Sequence, residues 1–107
     1  MSFEVSWKIA EGTARITLAG EIDANAVPAL RQAVEEAAAR SPRRLLLLVS
    51  EVRFMASAGL RVLAFAKQKM GASVDIHVVG ACDAVRRTLV LTGLHHGIVL
   101  IEGGTDA

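Results

Sequence analysis

The segment that most constrains the fold is residues 45–49, which read LLLLV without one polar side chain. A strand or helix with one face in water would interrupt such a run, so this segment has to be covered on both faces. It is also far shorter than the roughly 20 apolar residues that a membrane-spanning helix needs. We therefore expect the central strand of a sheet, and no insertion into a membrane.

Two alternating segments precede this strand and predict a hairpin. Apolar and polar residues alternate over residues 3–9 and again over residues 14–18, with the apolar positions Ala14, Ile16 and Leu18 in the second segment. A period of two is typical of a strand with one buried face. Glu11 and Gly12 lie between the two segments and supply the turn.

Two segments with helical spacing flank the apolar strand. In the first, apolar residues recur every three or four positions from 27 to 37, and Asp23 or Asn25 is placed to cap its start. The second begins near Ser57 and ends at Gly71, with Ala64 among the residues on its buried side.

The remaining segments complete an alternating order. Residues 74–79 and 98–101 predict two short strands, and residues 84–92 between them predict a helix that Asp83 can cap. The order is β-β-α-β-α-β-α-β, which predicts a single α/β domain with a largely parallel sheet. We assign residues 1–102 to this domain and residues 103–107 to a flexible tail.

Composition argues against several classes of function. The formal net charge is +1 and aromatic residues make up 4% of the chain, so neither a concentrated basic face nor a base-stacking platform is expected. Nucleic acid is therefore not an expected partner. The N-terminus does not resemble a signal peptide, and Cys82 is the single cysteine, so we expect a cytoplasmic protein without a disulfide.

Catalytic and metal-binding motifs are also missing from the sequence. It contains no phosphate-cradling loop and no G-x-S-x-G elbow around Ser57. His95, His96 and Cys82 do not match a usual zinc spacing, and Cys82 is interpreted as a small near-core residue. We expect neither an enzyme nor a cofactor nor a bound metal.

Ser57 admits two interpretations from the residues alone. Serine is among the best helix N-cap residues, so it can simply cap the helix that follows. It can equally present its hydroxyl to a kinase, since the start of a helix stabilises the negative charge of a phosphate. Asp23 is likewise either a cap or a part of the surface beside Ser57, because loops after neighbouring parallel strands gather at one end of a sheet.

Three segments resemble the STAS domain family, and most closely its bacterial anti-sigma-factor antagonist branch. They are EIDANAVPALRQAV, VRFMASAGLRVLAFAKQ and AVRRTLVLTGLHHGI, in the order and spacing of that family. The middle segment resembles the family's F-M-D-S-S-G-L motif. The resemblance implies a mixed sheet whose first strand runs antiparallel to the others.

The resemblance also implies a role in partner switching. An antagonist of this kind binds a GHKL-type serine kinase that is also an anti-sigma factor; phosphorylation ends the contact, and a metal-dependent serine phosphatase restores it. On this sequence the phosphoacceptor would be Ser57, and the protein would be a monomer or a weak dimer. The docking surface would comprise Asp23, Asn25, Ala56, Ser57, Ala58, Gly59 and Arg61.

The motif departs from the family pattern on both sides of the serine. Ala56 stands where the family usually has Asp, and Ala58 stands where it has a second Ser or Thr. These departures favour an alternative function, namely a non-phosphorylated STAS module that is a structural subunit of a larger complex such as a lipid transporter or a stress-signalling assembly. A third hypothesis, an enzyme or small-molecule sensor, finds no phosphate-binding loop to support it.

Overall fold

The computed structural model describes residues 3–71, 73–93 and 98–101, so the predicted tail 103–107 and the His95-His96 pair lie outside the described residues. The order of elements is the predicted one. The elements are β1 (Phe3–Ala10), β2 (Thr13–Ile22), α1 (Val27–Ala38), β3 (Arg44–Met55), α2 (Ser57–Met70), β4 (Asp75–Val79), α3 (Asp83–Leu91) and β5 (Ile98–Ile101). A 3-10 turn, Ala24–Ala26, precedes α1.

The strands form one sheet in the order β1-β2-β3-β4-β5. β1 is antiparallel to β2, and the other neighbouring strands are parallel, which confirms the mixed sheet with an antiparallel first strand. The β1–β2 turn is formed by Glu11 and Gly12, with φ of 53° and 80°. Positive φ at both positions is what a two-residue type I′ hairpin turn requires.

A single hydrophobic core lies between the sheet and the helices. Ala14, Ile16 and Leu18 are buried in it, as their alternation predicted, and α1, α2 and α3 contribute buried side chains to the same cluster. Burial of this apolar surface is the main force that stabilises the fold. Ala64 was predicted to be buried but is exposed, because it lies two turns along α2 from Ser57 on the same helical face.

The central strand β3 is longer than the apolar run and contains two irregularities opposite β2. Thr17 pairs with Leu48 but Ala19 pairs with Glu51, so β3 has one extra residue there. A second extra residue lies between the partners of Gly20 and Glu21. Such bulges shift the alternation of side chains. As a result Val52 and Met55, which are three residues apart, both reach the core.

Helices α1 and α2 pack against each other across an arginine–aromatic contact. The guanidinium carbon of Arg31 lies 4.4 Å from the centroid of the Phe65 ring. A guanidinium over an aromatic face is attracted by the negative charge density of the ring. The contact links the two helices at their solvent-exposed side.

Candidate functional site

Two loops meet at the carboxyl end of the parallel strands. Ile22 and Met55 are the last paired residues of β2 and β3, so the residues that follow each of them emerge side by side. The backbone N–H of Ala56 donates a 2.8 Å hydrogen bond to the carbonyl oxygen of Ile22. The 3-10 turn after Asp23 contacts α2. The fold thus brings the predicted Asp23 and Ser57 loops together.

Ser57 is the first residue of α2 and is exposed to solvent. The N-cap is Ala56, with extended backbone at φ −77° and ψ 167° and no side-chain capping bond. The interpretation of Ser57 as the N-cap is therefore wrong, because a capping residue has non-helical dihedral angles and Ser57 is already inside the helix. Its hydroxyl is left available at the positive end of the helix dipole.

Gly59 determines how closely α2 approaches the sheet. A Cβ atom built on this buried residue would lie 2.7 Å from Cγ2 of Ile22 and 3.0 Å from Cγ of Met55. Both distances are shorter than ordinary van der Waals contact. Gly59 therefore packs directly against the ends of β2 and β3. Ser57 faces solvent, and its neighbours Ala56 and Ala58 are half-buried.

Asp23 caps the 3-10 turn rather than α1. Its Oδ1 accepts a 3.0 Å hydrogen bond from the backbone N–H of Asn25, and its carbonyl oxygen accepts one of 3.0 Å from Ala26. This confirms its interpretation as a cap or turn residue and fixes the position of the loop. Asp23 itself is half-buried and Asn25 is exposed, so both still contribute to the surface.

Arg61 extends the exposed surface along α2. It lies one helical turn beyond Ser57 and is exposed. The side chain of this residue can therefore reach a partner that approaches the serine. Whether the predicted residues bind a partner remains a prediction. The fold places them in one region, where all of them except the buried Gly59 have accessible surface.

Phe54 belongs to the same region and was not predicted from the sequence. Half of its side chain is exposed (50%), although Val52 and Met55 on either side are buried. The extra residue in β3 turns Phe54 away from the core, next to its strand partner Glu21. Alternation counted from Val52 would have placed Phe54 on the inner face, whereas counting from Leu45 and Leu47 places it outside. Phe54 also stands at the Phe of the F-M-D-S-S-G-L-like segment, which is the signal that could have marked it.

The remaining candidates lie away from this region or lack a partner for their chemistry. Cys82 is exposed at the N-cap of α3, so its prediction as a near-core residue is wrong. Asp83 was predicted to cap α3 but is its first helical residue, since the extended backbone falls one position earlier. Within residues 3–71, 73–93 and 98–101 no three His, Cys, Asp or Glu side chains cluster as metal ligands. None of the helices among the residues described has the length and apolar character to cross a bilayer.

Comparison with known proteins gives concordant results. The family model described as "Mlab, STAS domain" matches residues 5–102. The anti-sigma-F factor antagonist RsfB of Mycobacterium tuberculosis is 39% identical over 96 residues, which cover 90% of this chain and 79% of that protein.

Two of the solved structures that match this chain illustrate the shared fold. The crystal structure of an anti-sigma factor antagonist from Mycobacterium paratuberculosis superposes with a TM-score of 0.87 at 34% identity, covering 95% of this chain and 87% of the other. The Bacillus cell fate determinant SpoIIAA in its phosphorylated form gives a TM-score of 0.71 at 19% identity, over 92% and 90% of the two chains. At that identity the second likeness concerns the fold alone.

Proposed function

Because the chain belongs to the STAS domain family, we propose that it is an anti-sigma factor antagonist whose docking is switched by phosphorylation of Ser57. The single observation that carries this proposal is the exposed position of Ser57 at the first residue of α2, beside the Asp23 loop. The relatives support the general role, since RsfB and the M. paratuberculosis protein are both anti-sigma factor antagonists by name.

The proposed partner is a GHKL-type serine kinase that also holds a sigma factor. In the transfer step the Ser57 Oγ attacks the γ-phosphorus of ATP, the Oγ–P bond forms, and the bond to the ADP oxygen breaks. In the proposed step the hydroxyl proton passes to a base of the kinase. A metal-dependent phosphatase then returns the serine by hydrolysis.

The charge change accounts for the switch without a change of fold. A phosphoserine carries about −1.5 to −2 charges at neutral pH. The uncapped start of α2 stabilises this charge within the protein. For the partner, however, the same dianion enters a surface that fitted a neutral hydroxyl between Ala56 and Ala58. The bulk of the phosphate and the cost of removing its hydration then oppose docking.

Phosphate transfer from the cognate anti-sigma kinase tests this proposal. Wild type, Ser57→Ala and Ser50→Ala are incubated with purified kinase and ATP, and the phosphorylated residue is identified by mass spectrometry. Ser50 is the matched control, since it is an exposed serine on β3 outside the loop. We expect phosphate on wild type and Ser50→Ala and none on Ser57→Ala. Ser57→Asp should bind the kinase roughly 100-fold more weakly.

A second candidate function is favoured by the two alanines that flank the serine. Ala56 and Ala58 replace the acidic and hydroxyl groups of the family motif, which suits a structural subunit that is never phosphorylated. This alternative predicts that wild type gains no phosphate and that the three variants bind their partner equally. The same experiment therefore distinguishes the two functions.

A further inference from the structure

Phe54 is the most exposed aromatic residue of the chain, and a bulge in the backbone of β3 determines which way it faces. Half of it is accessible (50%), while Phe3, Trp7 and Phe65 are half-buried against other residues. The bulge in β3 turns it away from the core although both neighbouring apolar residues are buried. Bulges beside functional sites commonly re-aim a side chain in this way. Exposed aromatic side chains are also the residues most enriched in binding hot spots.

The region around Phe54 is continuous with the proposed docking surface. Phe54 lies three positions before Ser57, so their Cα atoms lie within about 11 Å of each other. A standard protein–protein contact covers about 800 Å² on each partner, a patch roughly 30 Å across. One partner can therefore reach over the end of the sheet and contact both residues.

The charges next to Phe54 are predominantly acidic. Its strand partner is the half-buried Glu21, Asp23 follows just after the end of β2, and the exposed Glu51 lies earlier on β3. The exposed Arg53, directly before Phe54, is the one cation among these neighbours. A second copy of this chain is therefore a poor occupant. A two-fold contact would bring two patches of mainly negative charge together, and like charges brought together at an interface are unfavourable.

We propose that Phe54 is the apolar anchor of the anti-sigma factor contact. It inserts into an apolar pocket of the partner whose rim carries cationic side chains facing Glu21 and Asp23. The inference rests on the proposed function, because it assigns a further residue to that same interface. It adds a contact on the face of the sheet away from the helices to the predicted contacts of the Ser57 loop.

The test compares the affinity of wild type, Phe54→Ala, Phe54→Leu and Leu91→Ala for the purified anti-sigma factor by titration calorimetry. Leu91 is the matched control, because it is 78% exposed and lies at the far end of α3. Loss of a central aromatic anchor should weaken binding about 30-fold. Phe54→Leu should retain part of the affinity, and Leu91→Ala should bind as wild type does. Glu21→Gln should weaken binding more at low salt than at high salt.

The possible failures are distinguishable. If wild type does not bind the anti-sigma factor, the proposed function itself is wrong. If wild type binds and Phe54→Ala binds equally well, only the role of Phe54 is refuted. A dimeric wild type that Phe54→Ala converts to a monomer in sedimentation would assign the side chain to self-association and would also overturn the inference. Equal melting temperatures of the variants confirm that all are folded.

Discussion

Replacement of Gly59 by alanine tests the packing that seats α2 on the sheet. In an exposed helix the change from glycine to alanine stabilises by about 1 kcal/mol. At Gly59 the new methyl group would lie 2.7 Å from Cγ2 of Ile22. Ile22 is fully buried and β-branched, so it has little freedom to move aside. Overpacking of this kind costs about 1–3 kcal/mol, so the net effect should be destabilising.

We expect Gly59→Ala to lower the free energy of unfolding by about 1 kcal/mol, or the melting temperature by about 4 °C. Urea denaturation followed by circular dichroism measures the first quantity. Ala64→Gly is the matched control, since it changes helix propensity alone at an exposed site in the same helix and should cost about 1 kcal/mol.

A double mutant identifies the atom responsible. Ile22→Leu moves the branch from Cβ to Cγ and so removes the Cγ2 methyl that the alanine would meet. In that background Gly59→Ala should be less costly by at least about 0.5 kcal/mol. A Gly59→Ala protein as stable as wild type, or more stable, would refute the close approach of α2 to β2.

Three further changes test the caps and the exposed contacts. Ala56→Asp supplies the side-chain cap that α2 lacks and should raise the free energy of unfolding by about 1 kcal/mol; no gain in urea denaturation would contradict the cap assignment. Trp7→Phe removes the 2.9 Å indole hydrogen bond to Glu36 and should lower stability by about 1 kcal/mol, whereas an unchanged midpoint would show that the bond contributes nothing. Arg31→Ala removes the contact with the Phe65 ring and should cost about 0.5–1 kcal/mol, measured against Arg31→Lys, which keeps the charge.

Side-chain periodicity was sufficient to predict the order of the elements. The alternation around Ile16 and the unbroken run from Leu45 depend only on which faces of a strand are buried. The spacing of apolar residues along the chain reports those faces directly. The same reasoning placed Asp23 and Ser57 at one end of the sheet, because parallel strands start and finish together.

Features that depend on a shift of one residue were not predictable. Ser57 and Asp83 are good capping residues, yet in both helices the extended backbone falls on the preceding position. The exposure of Phe54 has a similar origin, since the second extra residue in β3 places it on the opposite face from Val52, only two positions earlier. These shifts of one residue depend on how neighbouring strands pair with each other. The sequence of one segment does not contain that information.

The two extra residues of β3 act as a pair on its alternation. Before them Leu45 and Leu47 occupy the inside of the protein at every second position, and after them Met55 lies inside in the same odd-numbered phase, because each insertion shifts the phase once and the second cancels the first. Val52, between the two, is the one member of the core cluster on this strand at an even-numbered position. The strand therefore enters and leaves this region with the same side toward the helices, and the change of phase is confined to the few residues that lead into the serine loop.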